Sequence, residues 1–237
     1  MLRPLVYVII PARGGSRGLR RKNLRLLHGQ PLISYIIHVA LRAQTIDTVF
    51  VSTESDEIAK VAVRYGVRVI RHPKMLSIST ASTFGVVQYA AKVLKKKWCR
   101  PDVLVTMRAT SPLCEPTDVD NAVRLLLKNN ADSVVSVARS DVHPFRVLKK
   151  NNKGELEYFD RRSGERDFPQ RRQSFGDVYV RNGAIYATRT DVIERGSLWG
   201  AHCVPYEMPK ERSVNINDWI DFLLAEVLLK QRIKPLS

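Results

Sequence analysis

The chain has 237 residues, of which 44% are hydrophobic, so it is long enough to bury the core of one large α/β domain. No apolar run approaches the roughly 18 residues that a membrane span requires and no signal-peptide pattern opens the chain, so we expect a cytoplasmic protein without a membrane partner. The net charge of +16 is compatible with nucleic acid, an anionic surface or small polyanionic substrates, and charge alone does not choose among them.

The first predicted element is an apolar strand at residues 5–10, followed directly by a segment rich in glycine and cations. Glycine lets the backbone approach an anion closely, while arginine and lysine supply fixed positive charge. An apolar strand that ends in such a loop predicts a cradle for the phosphates of a nucleotide. The glycines and cations of this loop are Gly14, Gly15, Gly18, Arg13, Arg17, Arg20, Arg21 and Lys22.

Apolar, β-branched runs then alternate with amphipathic runs. We predict strands at residues 48–52, 67–70, 103–106 and 133–137, and helices at residues 31–43, 56–65, 82–97 and 116–129. This alternation predicts a mostly parallel sheet covered by helices on both faces. Ligands of such sheets bind beyond the carboxyl ends of the strands, so we expect the glycine-rich loop to meet the turn at 52–54, the segment after Ile70 and residues 108–114 there.

The pattern changes after Val137, because residues 140–178 are polar and charged, with a hairpin signal at residues 151–154. Strand signals return at 178–180 and 184–187, and a last helix is predicted from about residue 218 to about residue 230. We therefore expect one domain over residues 1–237, with residues 140–178 as an insertion. Three cysteines without CxxC spacing indicate reduced thiols, and neither a disulfide framework nor a zinc site.

Several short motifs follow one another over most of the chain. They are the glycine-rich loop with residues 21–23, and the stretches at residues 29–33, 51–54, 80–83, 110–113 and 179–186. In this combination the chain resembles the acylneuraminate cytidylyltransferases, the CMP-sialic acid synthetase family. The resemblance implies an α/β fold with a Rossmann-like, mostly parallel sheet of the nucleotide-diphospho-sugar transferase type and a small dimerisation excursion.

The resemblance also implies a reaction, in which an anomeric oxygen of a nonulosonic 2-keto sugar acid attacks the α-phosphorus of CTP to give a CMP-sugar and pyrophosphate. Positioning and cations dominate such chemistry, so we expect Arg13 and Lys22 to be catalytic. The implied nucleotide-binding residues are Ala12, Arg13, Gly14, Gly15, Ser16, Arg17, Lys22, Asn23, Arg71, Ser82 and Thr83. The implied sugar-binding residues are Arg108, Thr110, Ser111, Arg172, Gln173, Tyr179 and Asn182.

Some of these residues fit structural roles equally well. Ser82 fits a helix cap, Tyr179 a half-buried strand aromatic, and Asn182 beside Gly183 a turn. In the family, the insertion packs against a second subunit and lends basic residues to the partner's sugar site, so the resemblance implies a homodimer. A solvated charged loop is the other interpretation of the arginines at 162, 171 and 172.

The chain departs from the family where Asp-Ile-Asp usually holds magnesium, because it carries Asn215, Ile216 and Asn217 there. Neutral amides weaken a site for a hard cation such as Mg²⁺, the cofactor that the resemblance implies. Asp218 and Asp221 are candidate replacements, although Asp218 fits a helix cap and Asp221 a surface position equally well.

Other departures fall in the expected substrate pocket. Arg108 stands where the family often has Gln, Cys114 where it often has Arg, His72 where Arg is expected, and Glu54 where Asp is common. Either the enzyme takes a different nonulosonic acid, or catalysis has weakened while nucleotide binding remains. Arg108 favours the first explanation, because a guanidinium binds a carboxylate in a bidentate manner.

Three other functions remain open. One is the cytidylyltransferase for 3-deoxy-octulosonate, the eight-carbon sugar acid of lipopolysaccharide, which is not expected to carry the 179–186 motif. Another is a catalytically weakened nucleotide-binding subunit, suggested by Asn215 and Asn217. The third is nucleic-acid binding, suggested by charge alone, and we expect no nucleic-acid partner. CTP and a sugar acid are the expected small-molecule substrates.

Overall fold

A computed structural model describes residues 3–15, 18–78, 82–160 and 176–233. The strands are β1 Val6–Pro11, β2 Leu26–Leu27, β3 Gln30–Pro31, β4 Thr48–Thr53, β5 Arg68–Arg71, β6 Val103–Met107, β7 Ser133–Arg139, β8 Leu148–Lys150, β9 Leu156–Tyr158, β10 Tyr179–Arg189 and β11 Cys203–Glu207. The helices are α1 Leu32–Arg42, α2 Asp56–Arg64, α3 Thr83–Lys97, α4 Pro116–Lys128, α5 Thr190–Glu194 and α6 Trp219–Ile233. Short 3₁₀ turns include Lys22–Leu24 and Lys74–Leu76.

The central sheet has seven strands in the order β11-β7-β10-β6-β1-β4-β5. β1 pairs in parallel with β4 on one side and β6 on the other, and β4 pairs in parallel with β5. β11 is parallel to β7, whereas β10 runs antiparallel to β6. The predicted α/β fold with a mostly parallel sheet is therefore confirmed.

Helices cover both faces of the sheet because successive side chains of a strand point to opposite sides. Val8 of β1 belongs to an apolar cluster with residues of α1, α2 and α4, whereas the next residue, Ile9, packs in a second cluster with α3 and α5. Both side chains are fully buried. The central strands therefore read as continuous apolar runs, as the sequence indicates.

A third apolar cluster fixes α6 next to the glycine-rich loop. Leu19 and Leu27 pack there with Ile216 and Phe222. Gly18 lies so close to the segment before α6 that a Cβ on it would come within 2.4 Å of the Asn217 carbonyl oxygen. Residues from opposite ends of the sequence therefore meet at one side of the sheet.

The chain divides into two compact units. Residues up to Val137 and from Arg181 onward form the larger unit, and Ala138–Val180 form the smaller one. In the smaller unit β8 and β9 make the predicted hairpin, whose turn contains Gly154 at a φ of +86°. The Asn151 side-chain oxygen accepts hydrogen bonds from the backbone N–H groups of Lys153 and Glu155 and so holds this turn. Among the described helices, none is long and apolar enough to cross a membrane.

Candidate functional site

A cavity of about 380 Å³ opens in the larger unit beyond the carboxyl ends of β1, β5 and β6. This is the edge at which a sheet of this type binds its ligands. Three of the four segments expected there contribute directly to the wall, and α3 and the segment before α6 complete it. The lining residues are Pro11, Ala12, Arg13, Gly18, Lys22, Asn23, His72, Leu76, Ser77, Ser82, Thr83, Val86, Arg108, Ala109, Thr110 and Asn217.

The charge that faces the cavity is positive. Arg13, Lys22 and Arg108 line it, and none of the described lining residues is Asp or Glu. The Lys22 Nζ donates a hydrogen bond to the Ile216 carbonyl oxygen, 2.8 Å away. Burial lowers the pKa of Lys22, and the charges of Arg108 and Arg13 lower it further. The cavity is therefore lined by concentrated positive charge, which suits a polyanionic ligand.

The glycine-rich loop differs from its expected role at Gly14. Its backbone N–H donates to Oε1 of Glu54, 2.8 Å away, and Gly14 and Gly15 do not line the cavity. The expected role of Gly14 in nucleotide binding therefore has no support from this structure, in which an internal carboxylate accepts the hydrogen bond of its N–H. Gly18 does line the cavity, whereas Ser16 and Arg17 lie outside the described residues.

A directional chain of hydrogen bonds connects the core to this loop. Ser77 donates its hydroxyl proton to Oε2 of Glu54, 2.6 Å away, so its oxygen is free to accept from Nε2 of His72 at 2.7 Å. With Nε2 protonated, Nδ1 of a neutral His72 accepts from the Ser52 hydroxyl at 2.9 Å. This pattern suits a neutral His72 protonated at Nε2, and the ring is buried among polar groups that include the Glu54 carboxylate, 3.3 Å from Nε2.

Two pKa shifts follow from this arrangement. Burial lowers the pKa of His72, and the nearby Glu54 carboxylate opposes that effect only in part. Burial alone would raise the pKa of Glu54, but the hydrogen bonds from Ser77 and Gly14 outweigh it, so the pKa of Glu54 is lowered. The sequence marked Glu54 and His72 only as departures from a family pattern, and no local signal indicated that they interact.

The other expected nucleotide residues divide into two groups. Ala12, Asn23, Ser82 and Thr83 line the cavity. Arg71 does not, because its guanidinium pairs with the Asp56 carboxylate and donates to the Ser55 carbonyl oxygen. The expected role of Arg71 in nucleotide binding therefore has no support from its position here.

Two of the lining residues also hold the surrounding backbone. Asn23 donates from Nδ2 to the Arg13 carbonyl oxygen at 2.9 Å. Ser82 accepts from the Gly85 N–H and so caps α3, which is the structural role that its sequence position also fitted. Both residues shape the wall of the cavity through these bonds.

Among the expected sugar residues, Arg108 and Thr110 line the cavity. The hydroxyls of Thr110 and of the neighbouring Ser111 are buried and have no hydrogen-bond partner among the described residues. Tyr179 belongs to the smaller unit and is largely exposed. Arg172 and Gln173 lie outside the described residues.

Asn182 is enclosed in the core. Its Oδ1 accepts from the Ser136 hydroxyl and the Ala184 N–H, and its Nδ2 donates to the Ser213 hydroxyl at 2.9 Å. A side chain with both ends satisfied by protein groups has no free donor for a sugar. The expected sugar contact of Asn182 therefore has no support from its position here.

The segment expected to hold magnesium does not fit a protein-bound divalent cation. Oδ1 of Asp218 accepts from the Asp221 N–H at 3.0 Å, while Oδ2 of Asp221 accepts from the N–H groups of Asn217 and Asp218. This reciprocal pair is a capping box at the start of α6, so each carboxylate has one oxygen engaged in the helix cap. Asn215 and Asn217 supply neutral amides, and the described part of the chain contains no group of three acidic, histidine or cysteine residues placed to bind a metal.

Comparison with known proteins places the chain in a family. The family model described as Cytidylyltransferase matches residues 7–207. A chain with this sheet, this cationic cavity and this match belongs to the cytidylyltransferase family, which confirms the resemblance seen in the sequence motifs.

Two relatives indicate the branch of the family. The chain is 33% identical over 221 residues to N-acylneuraminate cytidylyltransferase A of Danio rerio, covering 93% of this chain and 50% of the relative. It is 30% identical over 224 residues to the pseudaminic acid cytidylyltransferase of Campylobacter jejuni, covering 94% of this chain and 95% of the relative. The chain thus spans about half the length of the N-acylneuraminate relatives that it matches.

A solved structure supports the same fold. CMP-2-keto-3-deoxy-manno-octonic acid synthetase complexed with CTP aligns with a TM-score of 0.73 at 19% identity, covering 96% of this chain and 99% of that chain. At this identity the likeness is evidence for the fold alone. The nucleotidyltransferase type of sheet that the motifs implied is thereby confirmed.

Proposed function

We propose that this protein is a CTP-dependent nucleotidyltransferase that activates a nonulosonic, sialic-acid-like 2-keto sugar acid. The observation that carries the proposal is the cationic cavity beyond the carboxyl ends of β1, β5 and β6, in a chain of the cytidylyltransferase family. Relatives named for N-acylneuraminate and for pseudaminic acid support a nine-carbon acidic sugar as the acceptor.

In the proposed reaction, the anomeric hydroxyl oxygen of the sugar acid forms a bond to the α-phosphorus of CTP. The bond between that phosphorus and the bridging oxygen breaks, pyrophosphate leaves with the oxygen, and the hydroxyl proton passes to solvent. Charge increases on the phosphate oxygens along this path, so fixed cations accelerate it. Arg13 and Lys22 line the cavity, which supports the proposal that they supply that charge.

The two ends of the cavity suit different parts of the substrates. Ser82 and Thr83 at the start of α3, with Asn23, are proposed to contact the nucleotide. Arg108 and Thr110 follow β6 and are proposed to contact the acidic sugar, since a guanidinium pairs with a carboxylate and a buried, unpartnered hydroxyl needs a ligand.

The proposal is tested by pyrophosphate release from CTP in the presence of a panel of nonulosonic acids and of 3-deoxy-octulosonate. We expect turnover with a nonulosonic acid, and Lys22→Met should lower kcat by about 100-fold, because a developing phosphate charge loses its nearby cation. Lys96→Met is the matched control, since Lys96 is exposed at the end of α3. Turnover with the eight-carbon acid alone would overturn the nine-carbon assignment.

A catalytically weakened nucleotide-binding subunit is the second candidate function. It is favoured by the neutral amides of Asn215 and Asn217 and by the capping box, which engages one oxygen of each of Asp218 and Asp221. CTP binding without pyrophosphate release from any acid in the panel would support this candidate against the enzyme.

We infer that the protein forms a homodimer through its smaller unit. This unit exposes several large apolar side chains on and near the β8–β9 hairpin. A group of exposed apolar side chains of this kind is typical of a protein–protein interface. They are Val142, Leu148, Leu156, Phe159 and Val180. Light scattering should give twice the chain mass of 27.0 kDa, and Leu156→Glu with Phe159→Glu should return it to one. An unchanged mass in this variant would contradict the inference.

We also propose a cytoplasmic location, as CTP is a cytoplasmic substrate and all three cysteines are free thiols. No nucleic-acid partner is proposed. DNA or RNA binding that falls steeply with salt and that CTP does not displace would show that the protein does have a nucleic-acid partner.

A further inference from the structure

The cavity wall carries positive charge without a balancing carboxylate. Arg13 and Lys22 reach it from the glycine-rich loop and Arg108 from the end of β6, and no Asp or Glu is found among the described residues of the wall. A site designed to receive a phosphate group together with a divalent cation normally presents oxygen anions to that cation. The described charged side chains of this wall are instead all positive, which suits the phosphates and not a divalent cation.

Arg108 is built into this arrangement by its surroundings. A Cβ placed on Gly183 would lie 3.0 Å from Nη1 of Arg108 and 3.5 Å from Nδ2 of Asn215. Gly183 has a φ of +75°, which favours glycine, so the guanidinium lies over a backbone position that has no side chain. Arg108 therefore lies beside the Asn215 amide. Asn215 occupies the position at which the family resemblance implies a magnesium-binding carboxylate.

The remaining oxygen groups near this wall are poor ligands for a divalent cation. The Asn215 side-chain oxygen is buried without a hydrogen-bond partner among the described residues, but it is a neutral amide. Asp218 and Asp221 each use one carboxylate oxygen in the capping box of α6, and the Asn217 side chain donates to the Asn215 carbonyl oxygen at 3.0 Å. A divalent cation held beside Asn215 would lie close to the Arg108 guanidinium, which repels it.

We propose that this cavity binds the nucleoside triphosphate in its metal-free form, with Arg108 providing positive charge in place of a cation held by the protein. The proposal rests on the function proposed above and concerns the form in which the nucleotide is bound. It assigns Arg108 to the triphosphate as well as to the sugar end of the cavity.

Calorimetric titration of the full chain with CTP, once in EDTA and once in excess magnesium chloride, tests the proposal. We expect the two dissociation constants to agree within about threefold. Arg108→Gln should weaken binding in EDTA by about tenfold or more, and Arg108→Lys should recover most of it, because the charge returns. Arg124→Gln, on the exposed surface of α4, is the matched control and should bind as the parent does.

A triple variant sharpens the test. Asn215→Asp with Asn217→Asp and Arg108→Gln introduces two carboxylates and removes the guanidinium. We expect magnesium to strengthen the CTP binding of this variant by about tenfold. Thermal melting confirms that each variant is folded. CTP binding by the parent chain that requires magnesium, or that is unchanged in Arg108→Gln, overturns the inference while leaving the proposed function in place. A lack of CTP binding in both buffers overturns the proposed function itself.

Discussion

Glu54 accepts a hydrogen bond from the backbone N–H of Gly14, 2.8 Å away, and joins the glycine-rich loop to the end of β4. The other oxygen of the same carboxylate accepts from Ser77, which lines the cavity. One side chain therefore ties the glycine-rich loop to a residue of the cavity wall. The Gly14 N–H already has an internal acceptor, so under the proposed function the other donors and cations of the loop contact the triphosphate.

Removal of the Glu54 carboxylate should loosen the nucleotide cavity. In Glu54→Ala, the Gly14 N–H and the Ser77 hydroxyl lose their acceptor, and each such loss costs about 1 to 3 kcal/mol when the group is buried. We expect CTP binding to weaken by about tenfold, as measured by calorimetry. Glu57→Ala, three residues along and exposed, should change the affinity little, since Glu57 pairs with Arg21 at the surface. Equal effects in the two variants would contradict the role given to Glu54.

The stability of the fold should depend on pH through His72. Burial holds the pKa of His72 below its ordinary value of 6.5, so the unfolded chain binds the proton more readily than the folded chain. The free energy of unfolding should therefore fall as the pH drops below about 6.5, and the Glu54 carboxylate adds its own loss only at more acidic pH.

Urea denaturation at about pH 7.5 and about pH 5.5 measures this effect. The difference in unfolding free energy between the two conditions should shrink in His72→Gln, because that side chain does not titrate. It should persist in His202→Gln, where the histidine is exposed. A His72→Gln variant with the full pH dependence would show that another group is responsible.

Gly18 and Gly15 form a matched pair for testing close packing in the loop. A Cβ on Gly18 would meet the Asn217 carbonyl oxygen at 2.4 Å, whereas a Cβ on Gly15 would have no atom within 4 Å. Gly18→Ala should lower the free energy of unfolding by about 1 to 3 kcal/mol and weaken CTP binding, because backbone must move. Gly15→Ala should do neither. Denaturation and calorimetry on both variants check the prediction, and similar results for the two would contradict it.

Asn182 should behave as a core residue. Asn182→Ala leaves the Ser136 hydroxyl and the Ala184 N–H without their buried partner, so the free energy of unfolding should fall by about 1 to 3 kcal/mol. The KM for the sugar acid should stay within about twofold of the parent value, since the side chain is not in the cavity wall. A raised KM with unchanged stability would instead favour the sugar contact that its motif suggested.

The sequence predicts the sheet and the edge where the cavity opens, because hydrophobic periodicity is a local property. The strand at residues 5–10 and the loop after it are recognisable from adjacent residues alone, and Arg13 and Lys22 lie where that loop indicates. The cap of α3 at Ser82 is local for the same reason.

Other parts of the site could not be predicted, because they depend on contacts between distant segments. Gly14 donates a hydrogen bond to Glu54, which lies 40 residues away in the sequence. Arg71 pairs with Asp56 on α2, whereas its neighbour His72 is buried and bonds to Ser52. Asn182 is satisfied partly by Ser136 and Ser213, which belong to two other segments. No periodicity or motif reports which of these partners a polar side chain selects.

The bond from Lys22 to the Ile216 carbonyl spans 194 positions of the chain. Nearly all of this polypeptide must therefore be synthesised before Lys22 acquires this bond, so we expect a nascent chain to lack a complete cavity until the segment before α6 has emerged. For the same reason, an amino-terminal fragment carrying the complete glycine motif would be a poor minimal enzyme, however well its sheet folded.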